Sequence, residues 1–119
     1  MIEKELKAAG IDLVTAEDSL SRGHVKWASV QAYYSMFHSA KALVLSKGYR
    51  EKSHWCLLVA LRELLVGTGE LDEELADDLE LAMGVRHDAD YALEYNETTA
   101  GRVIEKAKIM LEVAKGLLE

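Results

Sequence analysis

Residues 86–91 read Arg-His-Asp-Ala-Asp-Tyr, which gathers a guanidinium, an imidazole, two carboxylates and a phenol within six positions. Arg86 could clamp a phosphate through paired N–H donors. His87 could act as acid or base near neutral pH. Tyr91 could donate a hydrogen bond or stack on a base. In a helix, Arg86 and Asp90 stand four residues apart, within reach of a salt bridge, and His87 and Tyr91 form a second such pair.

The first pair raises a problem of placement. With Arg86 taken as zero and about 100° per residue, Leu79 lies near +20°, Leu75 near −20°, Ala82 near −40°, Met83 near +60° and Asp90 near +40°. The two ions therefore continue an apolar stripe. An unpaired charge on a core stripe costs several kcal/mol by order of magnitude. Three arrangements resolve this. The pair satisfies itself and nearby backbone groups, or the stripe opens into a polar cleft that is a site, or the helix ends at Gly84 before Asp90.

Other groups invite chemistry less strongly. Tyr34 and His38 are also spaced i,i+4, and they are binding candidates beside the Arg86 cleft or packing residues with a polar handle. Glu51-Lys-Ser-His54 matches half of a di-metal bundle motif. No second Glu-x-x-His exists, because Ser21, Ser35 and Gly84 precede His24, His38 and His87 by three. Neither a metal nor a cofactor is expected. Lys47, Arg50 and Lys52 in "KGYREK" could touch a nucleic acid or only water. Trp27 and Trp55 read as core anchors.

Five helical segments must position these groups. The first, about Ile2–Leu20, carries Ile2, Leu6, Ala9, Leu13, Ala16 and Leu20 at alternating spacings of four and three, and Gly23 stops it. The second, about Val25–Ser46, has one stripe of Trp27, Val30, Tyr34 and Phe37 and another of Ala28, Ala32, Met36 and Leu43. A helix so apolar belongs at the centre or at a subunit interface. Gly48 ends it. Ser53 caps a third helix to about Val66, with Leu57, Leu58, Leu61, Leu64 and Leu65 inward. The fourth starts near Asp72. Asn96 or Thr98 caps the fifth, about Thr99–Leu118, whose inward set is Val103, Ile104, Ala107, Leu111, Ala114 and Leu117. The expected fold is all-α: a single domain over 1–119, an antiparallel up-and-down bundle of four long helices and a shorter one.

Composition sets outer limits. The chain has 119 residues, no proline and half its residues apolar, the balance of a soluble helical globule. No apolar run approaches the roughly 20 residues of a membrane span, and the charged N-terminus is no signal peptide. Cys56, the single cysteine, fits a reducing cytoplasm. A net charge of −7 argues against broad nonspecific nucleic-acid binding. Charge is nonetheless segregated: residues 19–62 hold seven Lys/Arg and one acid, whereas 63–97 hold twelve acids and one base, Arg86. Solvated faces, a basic surface for a partner or RNA, and complementary dimer surfaces all fit that pattern.

"AYYSMFHSAKALVLSKG" in the second helix, "RHDADY" in the fourth and the Ala/Leu-rich last helix together resemble the HEPN family. The likeness covers nearly the whole chain and is strongest to the short prokaryotic members found beside minimal nucleotidyltransferases. It implies a HEPN-like helical bundle that dimerises. In members that cut RNA, an Arg is followed four to six residues later by a His, and two such motifs form one metal-free cleft across the dimer. Carried over by position, Arg86 matches the Arg, His87 the polar residue after it, and Tyr91 stands where a His would complete the motif. The resemblance thus implies Arg86, His87 and Tyr91 as the catalytic set and Arg86 with Asp90 as phosphate or nucleotide binders, with RNA or a nucleotide as ligand. Tyr, with a reference pKa of roughly 10, is a poor base near neutrality, so gripping a phosphate is the better supported role. Some relatives act in toxin–antitoxin pairs whose nucleotidyltransferase attaches AMP to a Tyr near the motif. Tyr91 would be that acceptor here, away from the family's usual position. A purely structural dimeric assembly is the remaining reading.

Overall fold

The fold follows from one helix that buries most of its girth. In the computed structural model of the chain, which describes residues 1–91 and 96–119 and the side chains of all of these except 85–91, α1 spans Ile2–Ser21 and α2 Val25–Ser46. Then come α3 (His54–Leu61), α4 (Glu73–Tyr91) and α5 (Glu97–Leu118). No strand occurs among the described residues. On α2, Ala28, Ala32, Tyr33, Met36, Phe37, Ala40, Leu43 and Val44 are all buried. This helix packs against each of the other four.

Chain direction can be read from the pairs that touch. Ser19 bonds Gln31 at 2.7 Å, Ser35 donates to the Ala9 carbonyl at 2.8 Å, and Glu5 meets His38 at 2.6 Å. As numbers fall on α1 they rise on α2, so the two are antiparallel. Lys47 holds Glu70 at 2.7 Å, while Met36 and Ala82 line one cavity, so α4 is antiparallel to α2 as well. Lys106 bonds Asp78, and Thr99 and Val103 lie beside Ala82, which sets α5 antiparallel to α4. An up-and-down bundle results.

The helix ends obey local chemistry. Gly23 at φ +82° lets α1 close, with the His24 N–H reaching the Ser19 carbonyl at 2.8 Å. The Ser53 hydroxyl accepts from the Cys56 N–H at 3.0 Å, the Asp72 carboxylate from Glu74 at 3.1 Å, and the Asn96 side chain from Thr99 at 2.8 Å. After Leu61, α3 widens into a π-helical turn, Arg62–Val66, closed by the Gly67 N–H on the Arg62 carbonyl at 2.8 Å. Arg62 opens that turn and grips α4 twice, Asp77 at 2.8 Å and Glu80 at 2.9 Å. These acids hold its guanidinium, Glu80 foremost, above the usual arginine range.

Three expectations need correction. Trp27 and Trp55 are not core anchors: they are 55% and 58% exposed. The buried arc of α2 centres on Tyr33, Met36 and Ala40, which turns Trp27 outward, where Lys26 sits 5.3 Å over its ring. Trp55 follows the capped start of α3 on its outer side. Leu117 is 41% exposed in the last turn of α5, where Leu118 packs inward instead. Met110, absent from the expected inward set, is fully buried.

These assignments predict unequal costs for two truncations. Leu61→Ala, at a fully buried site, should destabilise the fold by about 2–5 kcal/mol. Trp55→Ala should change it by no more than about 0.5 kcal/mol. Urea unfolding followed by circular dichroism measures both; a Trp55→Ala cost equal to that of Leu61→Ala would return Trp55 to the core.

Candidate functional site

Tyr33, Tyr34 and Phe37 of α2 converge with His54, the first residue of α3, on one aromatic cluster. The positions i, i+1 and i+4 spread three rings over about a third of the helix circumference. The Ser53 cap fixes where α3 begins and so delivers His54 to them. Nδ1 of His54 lies 2.6 Å from the Tyr33 hydroxyl, a hydrogen bond between a nearly fully buried phenol and a half-buried imidazole. The Phe37 ring lies 4.3 Å away between centroids, tilted by 32°. Tyr34 presents its edge at 5.9 Å and 86°. The imidazole is thus anchored at Nδ1 and confined by rings, which limits its rotation.

The fourth helix leads to the same end of the molecule. It continues without a break across Gly84 to Tyr91, so the arrangement in which the helix stops short of Asp90 does not occur. The side chains of Arg86, His87, Asp90 and Tyr91 lie outside the described residues. Two sets of contacts fix how α4 runs past its neighbours. Against α2, position 47 is level with 70 and position 36 with 82. Against the π-helical turn that follows α3, position 62 is level with 77–80, and the chain reverses between them. Between α4 and α5 lies a cavity of about 220 Å³, lined by Met36, Leu81, Ala82 and Val103 and edged by Asp78 and Arg102. It is below the roughly 300 Å³ at which drug-sized ligand sites begin.

Tyr34 and His38, expected on one site, face different neighbours. Tyr34 joins the His54 cluster. His38 turns to α1, with Nδ1 at 2.6 Å from Glu5 and Nε2 at 3.6 Å from Asp12. Lys41 adds contacts to Glu5 at 3.6 Å and Glu51 at 3.2 Å. Burial pushes the Asp12 carboxyl above its usual range, opposed in part by His38. This ionic group ties α1 to α2.

The charge segregation is bridged inside the chain at two of its bases, Lys47 and Arg62, which meet acids of residues 63–97. Of the seven bases in 19–62, Arg22, Lys41, Lys47 and Arg62 each meet an acid. In the "KGYREK" loop, Lys47 is taken by Glu70, whose carboxyl is held below its usual range by that bond and by Thr68. Arg50 and Lys52 are exposed. Sequence reasoning treated His54 only as half of an incomplete metal motif. The signal for its true surroundings was present: a capping Ser immediately before a His, and a helix carrying "YYSMF" to meet it.

The Asp12 shift has a defined consequence for stability. A carboxyl raised in the folded state favours folding most below its ordinary value, and that contribution disappears as pH rises through the raised one. At pH 7 the ionised Asp12 therefore opposes folding relative to a neutral side chain. Asp12→Asn should raise Tm by roughly 1–3 °C at pH 7, with the gain shrinking toward pH 3. A lowered Tm at pH 7 would instead make the His38 contact dominant.

Comparison with known proteins adds a second line. The HEPN domain pattern matches residues 2–117. "Putative toxin MJ0142" of Methanocaldococcus jannaschii is 31% identical over 119 residues, which cover 98% of this chain and 81% of that one. "Putative toxin MJ0605" of the same organism is 28% identical over 126 residues, covering 99% and 92%. The crystal structure of TT1696 from Thermus thermophilus superposes with a TM-score of 0.81 at 20% identity, over 98% of this chain and 97% of that one, a likeness of fold. With an all-helical bundle, a family match over nearly its full length and such relatives, the chain belongs to the HEPN domain family.

Proposed function

We propose that this protein is a HEPN-type module that binds a nucleotide or RNA phosphate at Arg86 and acts, as a homodimer, with a minimal nucleotidyltransferase in a toxin–antitoxin-like pair. The observation that carries the reading is the uninterrupted α4. Because the helix does not break at Gly84, position 86 keeps the helical register of the buried Leu75, Leu79 and Ala82. A guanidinium at such a position requires an anion. Asp90 stands one turn on in the sequence, and a phosphate is the better anion, because its oxygens accept paired N–H donors with full charge assistance. Two relatives named "Putative toxin" support the pairing with an antitoxin.

Those names also favour a second reading, metal-independent RNA cleavage. Such cleavage moves the proton of a 2′-hydroxyl to a base, attaches that oxygen to phosphorus, and releases a 5′-oxygen that an acid must protonate. His87 and Tyr91 are the nearby groups on α4, and Tyr is weak as the base.

The experiment combines binding and turnover. Fluorescence anisotropy with a labelled single-stranded RNA, and calorimetry with AMP, should detect a complex that Arg86→Ala weakens about 10–100-fold while its circular dichroism stays unchanged. Wild-type affinity in folded Arg86→Ala would remove the reading. RNA degradation in the presence of EDTA, lost in Arg86→Ala, would replace it with the ribonuclease.

A further inference from the structure

We propose that His38, set between Glu5 and Asp12, is a proton-operated latch that holds the front half of α1 against α2 and releases it as the pH rises. The latch uses only α1, α2 and the loop after α2, and it stands apart from the Arg86 reading.

Geometry comes first. Nδ1 of His38 lies 2.6 Å from a Glu5 oxygen, and Nε2 lies 3.6 Å from an Asp12 oxygen. Glu5 and Asp12 are two turns apart on α1, so one imidazole bridges two levels of the same helix. An ionised carboxylate only accepts hydrogen bonds, and a neutral imidazole has a single N–H. With that hydrogen on Nδ1 toward Glu5, the lone pair of Nε2 faces Asp12, an acceptor against an acceptor. One added proton removes the conflict, either on Nε2 or on the Asp12 carboxyl. Burial pushes that carboxyl above its usual range, which favours keeping a proton within the pair. The other charged groups at the seam are few. Lys41 of α2 lies 3.6 Å from Glu5 and 3.2 Å from Glu51, and the exposed Met1 and Arg50 share a small cleft with these three. Lys41 is already divided between two acids, so it does not discharge Asp12.

Losing the proton acts on both contacts. The Asp12 contact turns from attraction to repulsion, and the Glu5 bond loses the charge assistance that roughly doubles its strength. The front of α1 has little else to hold it. No side chain caps its first turn, and Gly10 sits in the helix interior between the two acids, where glycine is less favourable than alanine. The Ser35–Ala9 bond at 2.8 Å and the Ser19–Gln31 bond at 2.7 Å do not titrate near neutrality, and the second secures the rear of α1. Opening therefore begins at the front. The sign follows from where the proton is held. The folded chain keeps a proton that the unfolded chain gives up, so the latch stabilises most at low pH. Its contribution is lost as pH rises through the range in which an imidazole discharges, roughly pH 5 to 8.

The test compares the full chain with His38→Gln, which keeps hydrogen-bonding groups but takes up no proton, near pH 5.5 and near pH 8. Thermal unfolding followed by circular dichroism should give wild type a Tm advantage over His38→Gln that is about 2–5 °C larger at the lower pH. Asp12→Asn should cancel most of that pH-dependent difference, and adding His38→Gln to it should change little more. Hydrogen exchange read by mass spectrometry, with each rate divided by that of the unfolded peptide at the same pH, locates the effect. Between the two pH values, protection of residues 2–12 in wild type should fall several-fold more than that of residues 103–111, and in neither variant should it do so. A Tm difference equal at both pH values would overturn the latch. Protection lost equally in α1 and α5 would overturn it as well, leaving an ion pair with no moving part. If His38→Gln does not fold, Asp12→Asn decides alone: a wild-type pH dependence that survives unchanged in it would sink the proposal.

Discussion

Everything in this fold answers to the requirement that α2 be covered on almost all sides. Its buried residues sweep from Ala28 and Ala32 through Tyr33, Met36 and Ala40 to Leu43 and Val44, and no single neighbour can hide such an arc. Four helices therefore gather round it, each contributing a different kind of contact. The α1 seam is close because its contact positions are small: Ala9 and Ala16 are fully buried, and Ser35 can reach the Ala9 carbonyl. On the α4 and α5 side a small cavity survives over Met36. The site elements inherit this arrangement. The helix bearing Arg86 and the helix bearing His54 both rest on α2, so neither can shift without disturbing the same core.

Charge performs a complementary task. The acid-rich start of α4 would repel itself if left unattended. Arg62 spans Asp77 and Glu80, Lys106 reaches Glu74 and Asp78, and Lys47 takes Glu70. These pairs are largely at the surface and individually modest. Together they fix which turn of α4 lies beside which turn of α3 and α5, and register is what matters for the site.

Much of the architecture was legible because it rests on local rules. Five helices, their order, the Ser53 and Asn96 caps and the closing glycines all follow from short-range chemistry, and the α3 leucines and most of the α1 and α5 stripes are inward as their spacing requires. What was not legible depends on neighbours. Periodicity offers α2 two stripes without ranking them, and Tyr33, the ring that lies fully buried, belongs to neither. Two tryptophans read as core by their size alone, yet an indole at the edge of a small bundle can lie half in water. The π-helical turn leaves no mark in a sequence rich in leucine. The bond between Tyr33 and His54 joins residues 21 apart and required two helices to be docked first. On α4 the sequence posed the right question about Arg86 and Asp90, and the continuous helix removes one of its three answers.

The wide turn at Arg62–Val66 has a quieter effect. A π turn fits an extra residue into nearly the same length of axis. That residue is slack between two fixed ends, an imidazole at the front of α3 and the hairpin behind it. The angle between those ends is metered by backbone carbonyls, with the Gly67 amide as the stop. Side chains on the outer face, such as Val59 and Glu63, are exposed and take no part in it. The geometry of the turn therefore rests on main-chain bonds rather than on those outer side chains.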